Sequence, residues 1–315
     1  MFILLKNFLV HHGSLRRSET INIGQKVMIF IHILIGHTNW QTVERWQHSG
    51  SAISLIVNEV SQAYKMCSNL IPIKPKEGDS VQPEIARDPT LSPSFDNCIG
   101  AIDGVHTSVF VPASEHRVFR DRKKQLSQNV LGAVNFDMIF NVLAGWEGSA
   151  HDGRVLEDAR AKGFPQIAGK FFLRDASYAL RWDCLTPFRG VRYHLKEFRA
   201  GNAGGPRNAK ELFNLKHSSA RNAIERCFGV LKRRFPIVVT MPSFYLPFQC
   251  VLVNGYFLLY NFIRRNQLYE DDFCVDDVVA DANDDDNLDP DVALVGPAGQ
   301  LLKQWRTDTA DNTCG

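Results

Sequence analysis

The chain has 315 residues, of which 44% are apolar, 22% charged and 10% aromatic, a globular composition with length enough for one large domain or two smaller ones. That balance excludes collagen-like, coiled-coil and wholly disordered chains. The formal charge of +2 hides a division: from Glu270 onward 13 residues are acidic and 2 basic, leaving a body with 34 basic and 21 acidic residues, or +13.

A basic body suits a polyanionic partner, and nucleic acid is the commonest one. The seven cysteines are scattered and never spaced C-x-x-C, which supports neither a disulfide framework nor a zinc ribbon and fits reduced thiols in an intracellular setting.

In chain order, the apolar run from Met1 to Val10 is short, is broken by Lys6 and lacks a small-residue cleavage signal, so it does not read as a secretory peptide. Residues 18–67 predict helices. Ile23, Val27, Phe30 and Leu34 follow a 3.6-residue period with Ser18 as a cap and Gly36 as the stop,. A second helix starts near Thr38 or Asn39 and carries Trp40, Val43 and Trp46. After the polar break His48–Ser51, a third carries Ile53, Ile56, Val57, Val60 and Tyr64. Two short helices joined by a Ser/Gly turn have a helix-turn-helix outline, which any small helical bundle shares. Residues 1–71 are therefore expected to form an N-terminal helical region, and the five prolines of 72–96 predict an extended linker.

Beyond the linker the period shortens. CIGAIDGVHTSVFVP (98–112), NVLGAVNF (129–136) and MIFNVLAG (138–145) predict three strands, the last two forming a hairpin around Asp137,. Ser149 and Asp152 resemble a capping box ahead of a helix whose apolar face is Val155, Leu156 and Ala159. GKFFLRD (169–175) predicts a fourth strand ending at an aspartate, 184–207 an irregular stretch, and 208–234 a long helix stopped by Pro236,. The result is an α/β domain over 97–268 with a mixed sheet flanked by helices. The apolar stretch 244–263 is interrupted by Pro247, Gln249, Asn254 and Asn261, a poor bilayer span, so no membrane partner is expected. Residues 269–315 read as an acidic, disordered tail.

Three carboxylates stand where this pattern places them on one sheet edge: Asp103 in the first strand, Asp175 at the end of the fourth, and Glu225 beside the apolar stripe of the long helix,. Oxygen donors of this kind suit hard divalent cations, which in pairs cleave phosphodiesters. Taken singly, each has an ordinary role: Asp103 as a turn residue before Gly104, Asp175 as a helix cap near Ser177, Glu225 as the partner of Arg221 four residues earlier. Asp152 is a fourth candidate, either cap or metal ligand. His151, Asp152, His194 and His217 lack the spacing of a transition-metal site.

Seven blocks then carry a resemblance: CIGAIDGVH (98–106), SQNVLG (127–132), GWEGSAHDGRVLEDA (145–159), FLRDASY (172–178), PFRGVRYHLKEF (187–198), ELFNLKHSSARNAIERCFGVLKRRFPIV (211–238) and LLYNFIRR (258–265). In this order they resemble the PIF/Harbinger-type transposases and their domesticated relatives, the DDE superfamily endonucleases. The segment 30–54 resembles the family's helical region. The resemblance implies an RNase H-like domain, a catalytic and metal-binding triad of Asp103, Asp175 and Glu225, and Mg²⁺- or Mn²⁺-dependent cleavage at transposon ends followed by strand transfer.

It further implies DNA as partner, a separate Myb-like DNA-binding protein, self-association and a nuclear location. His106 is expected to support the site through a hydrogen bond rather than as a ligand. Val105, Ser177 and Tyr260 depart from the family's usual Thr, Gly and His without removing a carboxylate. The N-terminal portion is short for the family, so an upstream DNA-binding region is expected to be missing. Phosphate contacts are expected from Arg189, Arg192, Lys196, Arg199, Arg207, Lys210, Lys216, Arg221, Arg226, Lys232, Arg233 and Arg234. The alternative is a domesticated, non-cleaving nuclear protein that binds DNA or a partner.

Overall fold

The computed structural model describes residues 1–67, 75–199, 205–266 and 297–312. Its first four helices are α1 (Phe2–Gly13), α2 (Ile23–Leu34), α3 (Asn39–Trp46) and α4 (Gly50–Cys67). The start of α2 lies at Asn22, whose Oδ1 accepts the Gln25 N–H (2.9 Å); the expected cap, Ser18, instead bonds the Ile21 carbonyl. Thr38 caps α3 in a reciprocal box with Gln41,. Ile53, Ile56, Val57, Val60 and Tyr64 form the buried face of α4, which packs on α1, α2, α3 and a later helix of the chain.

The segment expected to be an extended linker is different over its described residues 75–96. It contains a short helix, α5 (Pro83–Arg87), and buries Ile85, Leu91 and Phe95. The prolines set the turns, but the apolar residues between them insert into the core, with Phe95 stacked on Phe213 at 5.9 Å. Residues 68–74, where the expected helical region gives way to that linker, lie outside the described residues.

The five-stranded mixed sheet has the order β3-β2-β1-β4-β5. Strands β1 (Cys98–Ser108), β2 (Ser127–Val134) and β3 (Phe140–Glu147) run antiparallel, with the expected turn at Asp137. On the other side β4 (Phe171–Leu173) and β5 (Cys184–Leu185) continue in parallel. β4 pairs with β1 only as far as Ala101. From Asp103 onward that edge of β1 therefore has no described strand beside it, and a group placed after β4 can reach it from the side.

Helix α6 (His116–Phe119) precedes β2. Helix α7 (Asp152–Ala161) covers one sheet face through Val155, Leu156 and Ala159, against Ile102, Leu131 and Ala133. After α8 (Leu195–Arg199), the long α9 (Ala209–Arg234) and α10 (Leu246–Asn266) cover the other face. One core cluster joins Leu9 and Phe30 of the N-terminal helices to Val105, Ile224 and Tyr256.

By length and apolar composition α10 could cross a membrane, yet most of it is buried. Two of the polar residues that interrupt its sequence, Gln249 and Asn261, bond backbone outside the helix. Asn261 exchanges two hydrogen bonds with the backbone of Phe140 (2.9 and 2.8 Å), and Gln249 does the same with Phe110 (2.9 and 2.6 Å). Buried backbone groups are satisfied this way by side-chain amides that imitate a strand.

Of the expected acidic tail, 269–296 and 313–315 lie outside the described residues. Residues 297–312 form a helix, α11, against α9. Arg306 lies over the Phe188 ring at 4.6 Å and donates to the Pro187 carbonyl (3.2 Å). The negative charge that marks the tail thins out in this part, where Lys303 and Arg306 interrupt it.

Candidate active site

Parallel strands end on the same side, and in open α/β sheets ligands gather beyond those carboxyl ends. Here β1 and β4 are such a pair. Asp103 lies within β1 opposite Gly132 of β2, on the face turned to α9. Asp175 follows β4 by two residues. Its Oδ1 accepts the N–H (3.0 Å) and the hydroxyl (2.5 Å) of Ser177, and Arg189 Nε clamps the intervening Ala176 carbonyl (2.8 Å). The Ser177 hydroxyl thus adds a second bond that fixes Asp175.

Glu225 stands on α9 one turn after Arg221, and the two pair at 2.8 Å as the i, i+4 spacing predicts,. The same guanidinium also reaches Asp103 at 2.6 Å. One buried arginine therefore ties together two carboxylates 122 positions apart in sequence. Arg221 is not the solvated phosphate contact expected from the sequence.

Asp152 is the first residue of α7, but it does not cap that helix: the N-cap is His151, with no side-chain cap bond. The capping box expected with Ser149 is absent for that reason. Its carboxylate instead accepts from Asn129 of β2 (2.5 Å) and lies directly over Gly104, where an added Cβ would come within 2.5 Å of Oδ1. Any side chain at 104 would push Asp152 away from the neighbour of Asp103. The Asp-Gly pair thus provides one acid and the space for another.

The electrostatics bind the four acids into one group. Burial pushes Asp103 up to about 7; Arg221 opposes this, while Asp175, Asp152 and Glu225 add to it. Asp152 is also raised, chiefly by burial and further by Asp175. Burial alone would lower Arg221, but Asp103, Tyr193, Asp175 and Glu225 outweigh it and hold the guanidinium firmly charged. Tyr178 and Tyr193 are kept protonated, mainly by burial and further by the charge of these carboxylates.

A desolvated cluster of like charges needs a counter-cation, and in this arrangement Arg221 supplies it. The donor set is all oxygen, as hard divalent ions require. As the side chains stand, no group of three or more His, Cys, Asp or Glu among the described residues surrounds a common point suited to a metal ion, and Arg221 occupies oxygens of both Asp103 and Glu225.

His106 bonds Ser127 Oγ through Nδ1 (2.9 Å), lies 4.0 Å from Asp121 and is within the field of Asp152, beside the carboxylate cluster. His217 is buried with Nε2 near the Leu185 carbonyl (3.0 Å), and burial drives its pKa down to about 3; it is a neutral packing residue. The described cysteines are free thiols. Of the expected phosphate contacts, Arg192 is paired with Glu211 at 2.5 Å. The sequence reading missed the joint role of Arg221 because its second partner lies far away in sequence. It also passed over the basic turn at 120–124, which has four basic residues in five.

The model of the DDE superfamily endonuclease family matches residues 102–261, just over half of the chain. The chain belongs to that family. The matched span contains Asp103, Asp152, Asp175 and Glu225, and the five-stranded mixed sheet with flanking helices is consistent with an RNase H-like DDE fold. Comparison with curated proteins and with solved structures gave no match.

Proposed function

We propose that this chain is a metal-dependent DNA endonuclease of transposase type, in which Asp103, Asp175 and Glu225 form the catalytic and metal-holding set. The observation that supports this reading is that Arg221 joins Asp103 of β1 to Glu225 of α9 while the charge of Asp175, just beyond β4, acts on both Asp103 and Arg221, all within the span of the family match. Bound there, Mg²⁺ or Mn²⁺ ions would activate an oxygen nucleophile and stabilise the leaving oxygen of a phosphodiester. Asp103 and Asp175 are the ligands nearest the open edge of β1, Glu225 completes the set from α9, and Arg221 gives up its carboxylate partners to the ions. The seven sequence blocks support placement in the PIF/Harbinger branch, with nuclear residence, a Myb-like DNA-binding partner, self-association and a DNA-binding role for α2–α4 following from that placement.

The Arg221 pairing also favours a second reading, a domesticated protein that keeps the fold and binds DNA without cutting it, its acids permanently neutralised by the guanidinium. A plasmid-nicking assay separates the two. Supercoiled DNA with Mg²⁺ or Mn²⁺ is expected to be nicked by the wild-type chain and left intact by Asp103→Ala, Asp175→Ala and Glu225→Ala. Losing a group essential to positioning the metal typically costs orders of magnitude in rate. DNA binding without nicking under all metal conditions would select the second reading.

A further inference from the structure

Helix α6 and the loop that joins it to β2 carry Arg117, Arg120, Arg122, Lys123 and Lys124, all exposed, and a single acid, Asp121, which is buried. Asp121 is turned inward and committed to the loop itself. Its Oδ1 accepts the Gln125 N–H (2.8 Å), its carbonyl accepts the Lys124 N–H (3.0 Å), and its Oδ2 accepts the Ser127 hydroxyl (3.1 Å). A bridge between Arg120 and Leu126 closes the turn, and Arg120 Nη1 donates to the Lys124 carbonyl (3.2 Å). The turn is thus held by its own hydrogen bonds and presents a nearly uniform positive surface.

That surface adjoins the acidic site. Ser127 Oγ, bonded to Asp121, also meets His106 Nδ1 (2.9 Å), and His106 is three residues beyond Asp103 on β1. The charge of Arg122 is felt at Asp152 and at His106, and Lys232 of α9 is felt at His106 as well. Positive groups from two separate elements therefore act on the C-terminal half of β1 and on Asp152 beside it.

A site built of four carboxylates repels a phosphate backbone, so a polyanion held against it needs fixed positive charge beside it. We propose that the turn 120–124 is the phosphate track of the nuclease: Arg122, Lys123 and Lys124 hold the backbone of duplex DNA whose scissile bond lies at the carboxylates. This rests on the nuclease reading above. Such contacts are blind to sequence and act through counterion release. A turn already ordered by Asp121 spends little conformational entropy in making them.

The test is fluorescence anisotropy of the full chain with a short labelled duplex of arbitrary sequence, in metal-free buffer across a NaCl series. Neutralising the turn (Arg122→Gln, Lys123→Gln and Lys124→Gln together) is expected to flatten the log–log salt slope by about 2 to 3, or about 0.9 for each phosphate that the turn no longer neutralises. The charge-preserving triple Arg122→Lys, Lys123→Arg and Lys124→Arg is expected to keep the wild-type slope, which separates the removal of charge from a disturbed fold. Lys162→Gln, at the far end of α7 and paired there with Asp158, should also leave it unchanged. A neutralised turn with the wild-type slope overturns the track while the nuclease reading stands. A wild-type chain that binds no duplex at any salt overturns both.

Discussion

Replacing Arg221 by alanine is expected to destabilise the metal-free protein by about 3 kcal/mol or more, because removal of one member of a buried ion pair leaves the remaining charge without compensation. Here the loss is double. Asp103 and Glu225 both lean on this guanidinium, at 2.6 and 2.8 Å, and Asp103 already sits against the fields of Asp175 and Asp152. Arg221→Lys keeps one charge but cannot fork to two carboxylates, and is expected to fall between. Thermal melts with and without Mn²⁺ read the effect. If a metal ion takes the place of the guanidinium, Mn²⁺ raises the melting temperature of Arg221→Ala more than that of the wild type, since ligand binding adds stability by mass action. A variant that melts like the wild type in metal-free buffer would show that Arg221 is not the cation holding the acids together.

The second large effect is expected at Gly100, where β1 shifts register against β4 between Cys98 and Gly100. Gly100 has φ +148, and a Cβ there would lie 2.0 Å from the Val134 carbonyl oxygen of β2. The obstacle is backbone that cannot swing aside. Gly100→Ala thus combines overpacking with strained dihedrals, each worth about 1–3 kcal/mol, for a total of about 3 kcal/mol or more. Gly163→Ala is the control: its φ is +89 but nothing lies within 4 Å of the added Cβ, so only the conformational cost of about 1 kcal/mol applies. Denaturant melts of the two variants should differ accordingly. Gly100 lies three residues before Asp103 on the strand that pairs with β4, so a Gly100→Ala chain that still folds is also expected to show reduced nicking.

The sheet is legible in the sequence because its strands are long enough to show their pattern and because the chain turns sharply at Asp137. β5 is not, since two residues carry no period. The prolines of 75–96 mislead, because their local stiffness says nothing about Ile85, Leu91 and Phe95 packing into a core assembled from elsewhere. The positions of Asp103 and Asp175 on or just beyond strands and of Glu225 on a helix can be read from spacing. Of the ordinary roles weighed for them only one survives, the pairing of Glu225 with Arg221: Asp103 lies inside β1 rather than in a turn, and no helix starts near Ser177 for Asp175 to cap, its bonds to Ser177 closing a turn instead. What spacing cannot reveal is that Arg221 also reaches across to β1. A local pair and a long-range one look identical in sequence until the helix is laid on the sheet. Asp152 is ambiguous for the same reason, and only the small volume of Gly104 shows why its carboxylate can approach.

Anomalous diffraction from crystals soaked in Mn²⁺ at pH 8 and at pH 5.5 tests the metal site itself. Asp103, raised to about 7, binds its proton as the pH falls through that value, so its ligand oxygen is available at the higher pH and largely lost at the lower. A manganese peak is expected about 2 Å from carboxylate oxygens of Asp103 and Asp175 at pH 8, with the Arg221 guanidinium displaced, and a weak or absent peak at pH 5.5. Manganese bound away from these residues at both pH values, with Arg221 still bridging Asp103 and Glu225, would contradict a metal-holding role for the carboxylates.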